Sequence, residues 1–521
     1  MQKMKEFLNA KFGLEKRGTN VKTEIMAGIT TFIAMVYVLM VNANMFSETG
    51  EVSYGAMYIV TAISAVIGTL LVGLFSGLPL AQAPGIGLAA FFVYTVCLGF
   101  GFSYANALVL VWAAGVVSIL LTVTGLRKKL LEAVPESIKK AIPAGIGLFI
   151  AFLGFKNAGL VVVDATTGVA KGSMNILAAN GWANAMPLFV ALFGVILIAV
   201  MQKKGAKGAI LFGILGATAL YYLLGLTIPG FYQGVEYTEY YVWDVVNGNW
   251  VLNVEASGVA NNYFLGYTVA DTLTVDGVSQ IVRYMPAKLS LDILQPFQEF
   301  STQAFGKVFT EGFDFSAYIE ANGKGSLALV LATSLLAFVL LDMFDAFGTL
   351  YGACAKGDLL DEQGNVPHLD RAMLADAVAT CCGAVLGTST VMTFIESTSG
   401  VAVGGKTALT SCVTAILFAL SVFLFPIAQL IPSAATAPAL IFVGVLMMGG
   451  VREVDWGDPA VATSSFLTIV MMPFGYNISA GIGFGLISFV AIKAFTGKVK
   501  EVKPTTYVLA LLFLLMFLLS Q

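Results

Sequence analysis

The stretch LALVLATSLLAFVLLDMFDAFGTLY, Leu327–Tyr351, decides the fold. It is apolar over the length of a bilayer crossing, which takes about 20 residues at helical rise. Yet it carries Asp342 and Asp345. A carboxylate at bilayer depth is expensive unless it faces a cavity, a partner or a substrate. A third acid, Glu396, lies in the Gly/Ser/Thr-rich segment Gly387–Thr407. Each of the three is a candidate functional residue by that cost alone.

Composition agrees with a membrane reading. The chain has 521 residues, of which 58% are hydrophobic and 11% charged; a water-soluble domain carries roughly 25% charged residues. Only helices and closed barrels satisfy their backbone in lipid, and long unbroken apolar runs exclude the alternating pattern of a barrel. The expected fold is an all-α polytopic membrane protein. The five cysteines, Cys97, Cys354, Cys381, Cys382 and Cys412, show no metal or disulfide spacing, and the adjacent pair reads as small core residues. A single histidine, His368, leaves no basis for a His-based metal site or a Ser-His triad. No cofactor and no nucleic-acid partner is expected.

Candidate spans are 25–43, 57–76, 79–96, 104–125, 138–160, 184–202, 208–226, 327–351, 371–386, 388–402, 407–425, 433–449, 460–475 and 477–495, with a last apolar run, 506–520, that either spans or lies at the interface. Lysine and arginine cluster at Lys3–Lys22, Arg127–Lys129 with Lys139–Lys140, Lys203–Lys207 and Lys493–Lys503. Threading the spans from a cytoplasmic N-terminus puts all four clusters on the cytoplasmic side, as the positive-inside rule requires. The N-terminus lacks the short h-region of a signal peptide. Met4, Phe7, Leu8 and Phe12 recur there at helical spacing among lysines; they form either an interfacial helix on the inner leaflet or a frayed tail. Residues 227–326 then fall outside. They are rich in Tyr, Trp, Asn, Gly and acids, too long for a simple connection, and expected to hold an amphipathic helix near Leu291–Phe305.

That loop divides the chain into halves of about seven segments each. An odd number gives the halves opposite orientation, the signature of an inverted repeat. The third segment of each half is short and interrupted: LPLAQAPGIG, Leu78–Gly87, in one and FIESTSGV, Phe394–Val401, in the other. The fifth segments both open on paired prolines, Pro135/Pro143 and Pro432/Pro438. Broken segments at matching positions point to a transport site, where half-helix N–H groups and dipole ends face the substrate. Small residues also permit close helix packing in lipid; Gln82 on one break and Glu396 on the other favour a paired binding site.

Asp342 and Asp345 are three residues apart, so they share a helix face. Two nearby carboxylates in low dielectric cannot both stay ionised cheaply, which makes one of them a candidate proton carrier. An ionised carboxylate accepts two parallel N–H donors of an amidine-like edge. Phe91, Phe92, Tyr94 and Phe394 lie near the breaks, placed either to stack on a flat ring or to pack. The residues by themselves read as a secondary transporter of a small polar, planar solute.

Several motifs carry the reading further. APGIGL (Ala83–Leu88), LDMFDAFGTL (Leu341–Leu350), GTSTV (Gly387–Val391) followed by Ile395-Glu396-Ser397, GTNVKTE (Gly18–Glu24) with AGITTF (Ala27–Phe32), and MMPF (Met471–Phe474) resemble the xanthine/uracil permease superfamily, more narrowly its adenine/guanine/hypoxanthine permease branch. The resemblance covers nearly the whole chain except the external loop. It implies fourteen spans in two inverted seven-span repeats, with a core domain made of 24–125 and 327–425 and a gate domain made of 126–226 and 426–521. Residues 1–23 would be a cytoplasmic segment and 227–326 an extracellular loop. It further implies cell-membrane location, proton symport of a purine nucleobase (proton rather than sodium), and homodimers through the gate domains. Asp342 and Asp345 match the family's acidic pair in the eighth span and Glu396 its acid in the tenth, while Gln82 and Gly87 fall in the motif of the third. The substrate-binding set so implied is Glu396, Asp342, Gln82, Gly87, Ala89, Phe394 and Ser397, with Asp342 and Asp345 coupling protons.

Two positions depart from the pattern. The family commonly continues Gly-Leu-Asn, whereas Gly87-Leu88 is followed here by Ala89; and Ala346 stands where a Thr commonly follows the second Asp. The loss of an amide alters the hydrogen-bond readout of a base, leaving open the choice among adenine, guanine and hypoxanthine. The rival cargo on the same fold is an anion such as sulfate or a carboxylate held by helix dipoles, against which an acid in the site argues. A membrane enzyme would need a nucleophile–base set that the sequence lacks. A channel fits broken helices with buried acids less well than alternating access does.

Overall fold

The computed structural model describes residues 2–126, 134–163, 170–172, 186–227, 239–244, 249–252, 271–275, 278–285, 293–356, 359–361 and 366–519. The Arg127–Lys129 cluster, residue 520 of the last apolar run, and Leu291 and Asp292 at the start of the expected amphipathic helix lie outside them.

The helices begin where capping residues stand. Asn20, Ser53, Ser103, Asp458 and Asn477 each accept a backbone N–H of the first turn, filling one of the donors that a helix start leaves open. In chain order the first half is α1 (Gln2–Phe12), α2 (Val21–Met35), α3 (Val38–Ser47), α4 (Tyr54–Ser76), strand β1 (Gln82–Pro84), α5 (Ile86–Ala90) running on as a π-helix through Phe91–Cys97, α6 (Tyr104–Val123), α7 (Glu136–Asn157), strands β2 (Val161–Val163) and β3 (Ala170–Gly172), α8 (Met186–Lys203) and α9 (Ala209–Thr227). Strands β4 (Glu239–Asp244), β5 (Asn249–Leu252), β6 (Asp271–Val275) and β7 (Val278–Met285) follow, then α10 (Leu294–Glu299) with a π-turn at Phe300–Ala304. The second half is α11 (Ser316–Lys356), α12 (Leu369–Leu386), strand β8 (Val391–Thr393), α13 (Ser397–Val401), α14 (Ala408–Ser421), α15 (Ser433–Met447), α16 (Pro459–Phe474), α17 (Ile478–Phe495) and α18 (Pro504–Leu519).

Among the described residues eight helices are long and apolar enough to cross a membrane, and five shorter apolar helices accompany them. The expected spans 371–386 and 388–402 are not among them, the second being β8 with the five-residue α13. One further difference is informative. The helix expected over 327–351 starts at Ser316 and is kinked at Gly323, which takes φ 80° and ψ 160°. Residues 316–322, read as external loop, are therefore helical, set off from the helix that carries the acids by the non-helical Gly323. The remainder of that loop contains the expected helix, at Leu294–Ala304, and a sheet ordered β5-β4-β7-β6 with antiparallel pairing throughout.

The chain divides into two compact units. One comprises Phe152–Ile293 and Pro426–Phe442; it holds α8 packed on α9, the β2–β3 hairpin and the four-stranded sheet. The other comprises Met1–Ala151, Leu294–Phe425 and Val443–Gln521 and holds every residue discussed below. Within it the same order of elements occurs twice: helix, helix, strand with short helix, helix. The quartets are α2/α3, α4, β1–α5, α6 and α11, α12, β8–α13, α14. Strands β1 and β8 pair antiparallel with each other, Gln82 opposite Thr393, Ala83 opposite Met392 and Pro84 opposite Val391. Equivalent strands meeting head to tail give the two quartets opposite directions at their junction. This is the inverted repeat in physical form.

Candidate functional site

The two broken segments stay extended because neither has a helix-length run of ordinary residues. Pro79 and Pro84 lack amide hydrogens and constrain the residues before them. The Gly-Thr-Ser-Thr run 387–390 favours local side-chain bonding over a helix interior. Each strand satisfies its backbone on the other, extended by Gly85 N–H to Thr390 O at 3.0 Å and Phe394 N–H to Ala81 O at 3.0 Å. Bare backbone in lipid is tolerated only when it is satisfied within protein, as here. The crossing lies hard against α4: a Cβ on Gly68 would come within 2.6 Å of Val391 Cγ1 and 3.0 Å of Gln82 Cβ. Asn42 of α3 donates its side-chain amide to Pro84 O at 2.9 Å and holds the outgoing end of β1.

Gln82 is fully buried. Its backbone N–H donates to Thr69 Oγ1 at 3.0 Å, and its Nε2 donates to Asp376 Oδ1 at 2.9 Å and Thr393 Oγ1 at 3.2 Å. The residue thus joins β1, β8 and α12 in one network. Ser397 opens α13, and its hydroxyl oxygen accepts Ala81 N–H at 3.0 Å. Ala89 is buried without exposure, and Phe394 is 8% exposed. Gly87 is half-buried; a Cβ there would approach Ile146 Cγ2 to 2.8 Å. Ala346 packs among Val72, Leu78, Leu80 and Leu350, which explains how an apolar residue is accommodated there.

Glu396 stands immediately before α13. Its Oε1 accepts the Tyr37 hydroxyl at 2.8 Å, while Oε2 is buried and has no hydrogen-bond partner among the described residues. Asp345, partly exposed, lies within Coulombic reach of Glu396. Asp342 is 1% exposed and faces Cys381 of α12 closely enough to interact with it electrostatically. The two acids of α11 therefore act on different neighbours: Asp345 interacts electrostatically with Glu396 before α13, Asp342 with Cys381 of α12.

The aromatic residues near the first break take the packing alternative. Phe91 meets Phe338 edge-on at 4.7 Å, and Phe92 contacts Phe46 at 5.0 Å and Tyr104 at 5.8 Å. Tyr94 donates to Glu48 at 2.8 Å and adjoins Phe149 and Tyr476. All three are essentially without exposure.

Three residues of this region carry no weight in the sequence reading. Asp376 is a fully buried acid in an apolar span, so the desolvation argument that singled out Asp342 would have found it. Glu24, also fully buried, accepts the backbone N–H groups of Lys406, Thr407 and Thr410 at 2.9, 3.3 and 3.2 Å and the Thr410 hydroxyl at 2.6 Å. A carboxylate at a helix start satisfies open donors and the positive dipole end together. Tyr37 gave no signal, because a tyrosine in an apolar run reads as packing.

Among the described residues no group of three or more His, Cys, Asp or Glu is arranged to hold a metal ion. What the end of the crossing offers is one carboxylate oxygen without a partner among the described residues, on a residue of helical conformation at the start of α13 and within Coulombic reach of a second acid. That arrangement suits recognition of a small N–H donor rather than bond chemistry.

Known proteins agree with this description. The profile of the permease family Xan_ur_permease matches residues 22–243 and 298–484. A chain of Methanocaldococcus jannaschii named as a permease is 36% identical over 98% of both chains. An adenine permease of Escherichia coli is 31% identical, over 97% of this chain and 94% of its own. A guanine/hypoxanthine permease of Bacillus subtilis is 33% identical, over 96% and 98%. Among solved structures, the transmembrane domain of a cyanobacterial bicarbonate transporter superposes with a TM-score of 0.51 at 16% identity, covering 91% of this chain and 97% of that one. That likeness concerns the fold, a polytopic helical transporter fold with inverted repeats. The chain belongs to the xanthine/uracil permease family: it is a multi-pass membrane permease, not an enzyme.

Proposed function

We propose that this permease imports a purine nucleobase, adenine, guanine or hypoxanthine, by proton symport. Glu396 holds the edge of the base through Oε2, and backbone N–H groups of the two short helices orient it. Asp345, beside Glu396, couples protonation to movement, with Asp342 behind it on the same helix. Gly87, Ala89, Phe394 and Ser397 shape the pocket, and Gln82 sets its floor by joining both strands. In this reading 24–125 and 327–425 form the core and 126–226 and 426–521 the gate. The N-terminus is cytoplasmic, and the protein pairs as a homodimer in the cell membrane.

The observation that carries the proposal is the buried, unpartnered Oε2 of Glu396 next to a second acid at the strand crossing. An unsatisfied buried acceptor is costly, and a base N–H relieves that cost. Relatives named for adenine and for guanine/hypoxanthine support the cargo class. Two acids side by side oppose an anionic cargo. Labelled purine binding to purified Glu396→Gln protein is the test: binding should be lost while the protein stays folded, and wild-type binding by the variant refutes the assignment. Uptake of a base panel with and without an imposed pH gradient tests the proton, and excess sulfate or bicarbonate, added as competitor, should leave that uptake unchanged.

A further inference from the structure

One oxygen of Glu396 is already engaged. Tyr37, 1% exposed, sits where the first span is interrupted between α2 and α3, and its hydroxyl donates to Glu396 Oε1 at 2.8 Å. The contact is one rung of a longer antiparallel alignment. Further down α2, a Cβ on Gly400 would meet Thr31 Oγ1 at 2.1 Å and Ala27 O at 2.6 Å, and at its start Glu24 takes the amides of Lys406, Thr407 and Thr410. Glu24 and Tyr37 are about 20 Å apart along the helix at 1.5 Å per residue. The segment 396–410 is therefore held against α2 at both ends, which keeps Glu396 within reach of the phenol.

We propose that Tyr37 is a specificity-determining positioning residue: its hydroxyl takes one of the acceptor sites of Oε1, so that Glu396 favours a single N–H donor of the base through Oε2 over a vicinal pair. A fork of two parallel N–H groups needs both carboxylate oxygens, and a second donor would have to share Oε1 with the phenol. Among 6-oxopurines the distinction is sharp. Hypoxanthine offers N1–H alone; guanine offers N1–H with the adjacent 2-amino group. The inference rests on the reading that Glu396 holds the base.

Direct binding of labelled hypoxanthine and labelled guanine to the purified full-length protein tests it. Wild type should bind the two within about threefold of each other. Tyr37→Phe removes the competing donor at Oε1 and should favour guanine over hypoxanthine by about tenfold or more relative to wild type, in the range of one hydrogen bond to a charged group. A merely structural role would weaken both bases alike. An unchanged ratio in folded Tyr37→Phe overturns the proposal. So does wild-type protein that already prefers guanine by more than about tenfold, or that binds neither 6-oxopurine; both are measured without any variant. Glu396→Gln in the same assay separates the two claims: undiminished binding means that the cargo reading has failed, whereas lost binding with an unchanged Tyr37→Phe ratio means that only the role of Tyr37 has.

Discussion

Gln82 and Asp376 are far apart in sequence and joined by a 2.9 Å hydrogen bond from the Gln82 side-chain amide to the Asp376 carboxylate, in a region where neither residue has any exposure. The same amide reaches Thr393 on the opposing strand. The crossed strands are thus tied to α12 by this contact and by the Thr380 hydroxyl, which donates to Val391 O at 3.3 Å.

Asp376→Ala should destabilise the protein by about 1.5–3 kcal/mol, the cost of breaking a buried hydrogen bond to a charged acceptor. Uptake should fall by about tenfold or more, because small displacements of a binding group are expensive. Asp376→Asn keeps an acceptor oxygen and should lose less on both counts. Thermal unfolding of purified protein and uptake in proteoliposomes check the ranking; equal damage from Asn and Ala would show that the carboxylate does not act through Gln82.

Glu24 is the buried cap of α14. Replacing it by Ala removes the carboxylate acceptor of the Lys406 and Thr407 N–H groups and leaves Thr410 with only its weaker bonds, N–H to Thr407 O and hydroxyl to the Glu24 backbone carbonyl. A loss of about 2 kcal/mol or more is expected, at the upper end for a helix cap. Glu24→Gln should fall in between. Hydrogen exchange of the first turn of α14 should accelerate in Glu24→Ala before that of α4 does.

Gly400→Ala should be poorly tolerated. The added methyl would overlap both a side chain and the Ala27 carbonyl, and overpacking of this kind costs about 1–3 kcal/mol. Gly348→Ala is the matched control: among the described residues nothing lies within 4 Å of its Cβ position, and an alanine in a helix is stabilising by about 0.5–1 kcal/mol relative to glycine. A Gly400→Ala protein as stable as wild type would mean that α13 does not rest on α2.

A brace at one end of the bundle responds to acid. Lys493 pairs with Glu501 at 2.8 Å and with Asp458 at 3.7 Å. The hydrogen bond from Lys493 holds the Glu501 carboxyl below its ordinary value of 4.5, and the Ala460 amide holds Asp458 below 3.8. Lowered folded-state values stabilise the fold above the ordinary values and lose that contribution as pH falls through the lowered ones. Lys493→Met should therefore reduce thermal stability at neutral pH, slightly because the acids are solvent-facing. Its deficit relative to wild type should shrink as pH falls below 4.5 and vanish only below the lowered values of the two acids. A deficit that persists in acid would assign it to packing instead.

The spans were legible because desolvation acts locally: a run of apolar residues long enough for the bilayer is visible without knowing its neighbours. The same cost made Asp342, Asp345 and Glu396 conspicuous, and it applied to Asp376 as well. The start of α11 was less legible, since Ser316–Asn322 is a polar stretch extended into helix beyond a glycine kink. Tyr37 and Glu24 were opaque for a different reason. Their roles depend on partners more than 350 residues away, and a tyrosine or an edge-of-span glutamate has ordinary local explanations.

Hydrophobicity and charge along the chain were enough to determine a polytopic helical protein, its two halves and the places where the third segment of each half breaks, because those properties are summed residue by residue. Only tertiary structure decided that the broken segments pair with each other, that Tyr37 takes one oxygen of Glu396 and leaves the second, and that Asp345 comes within Coulombic reach of it. Hydrogen bonds and Coulomb forces act over a few ångströms, so which acid meets which neighbour is settled by how the helices fold back on one another.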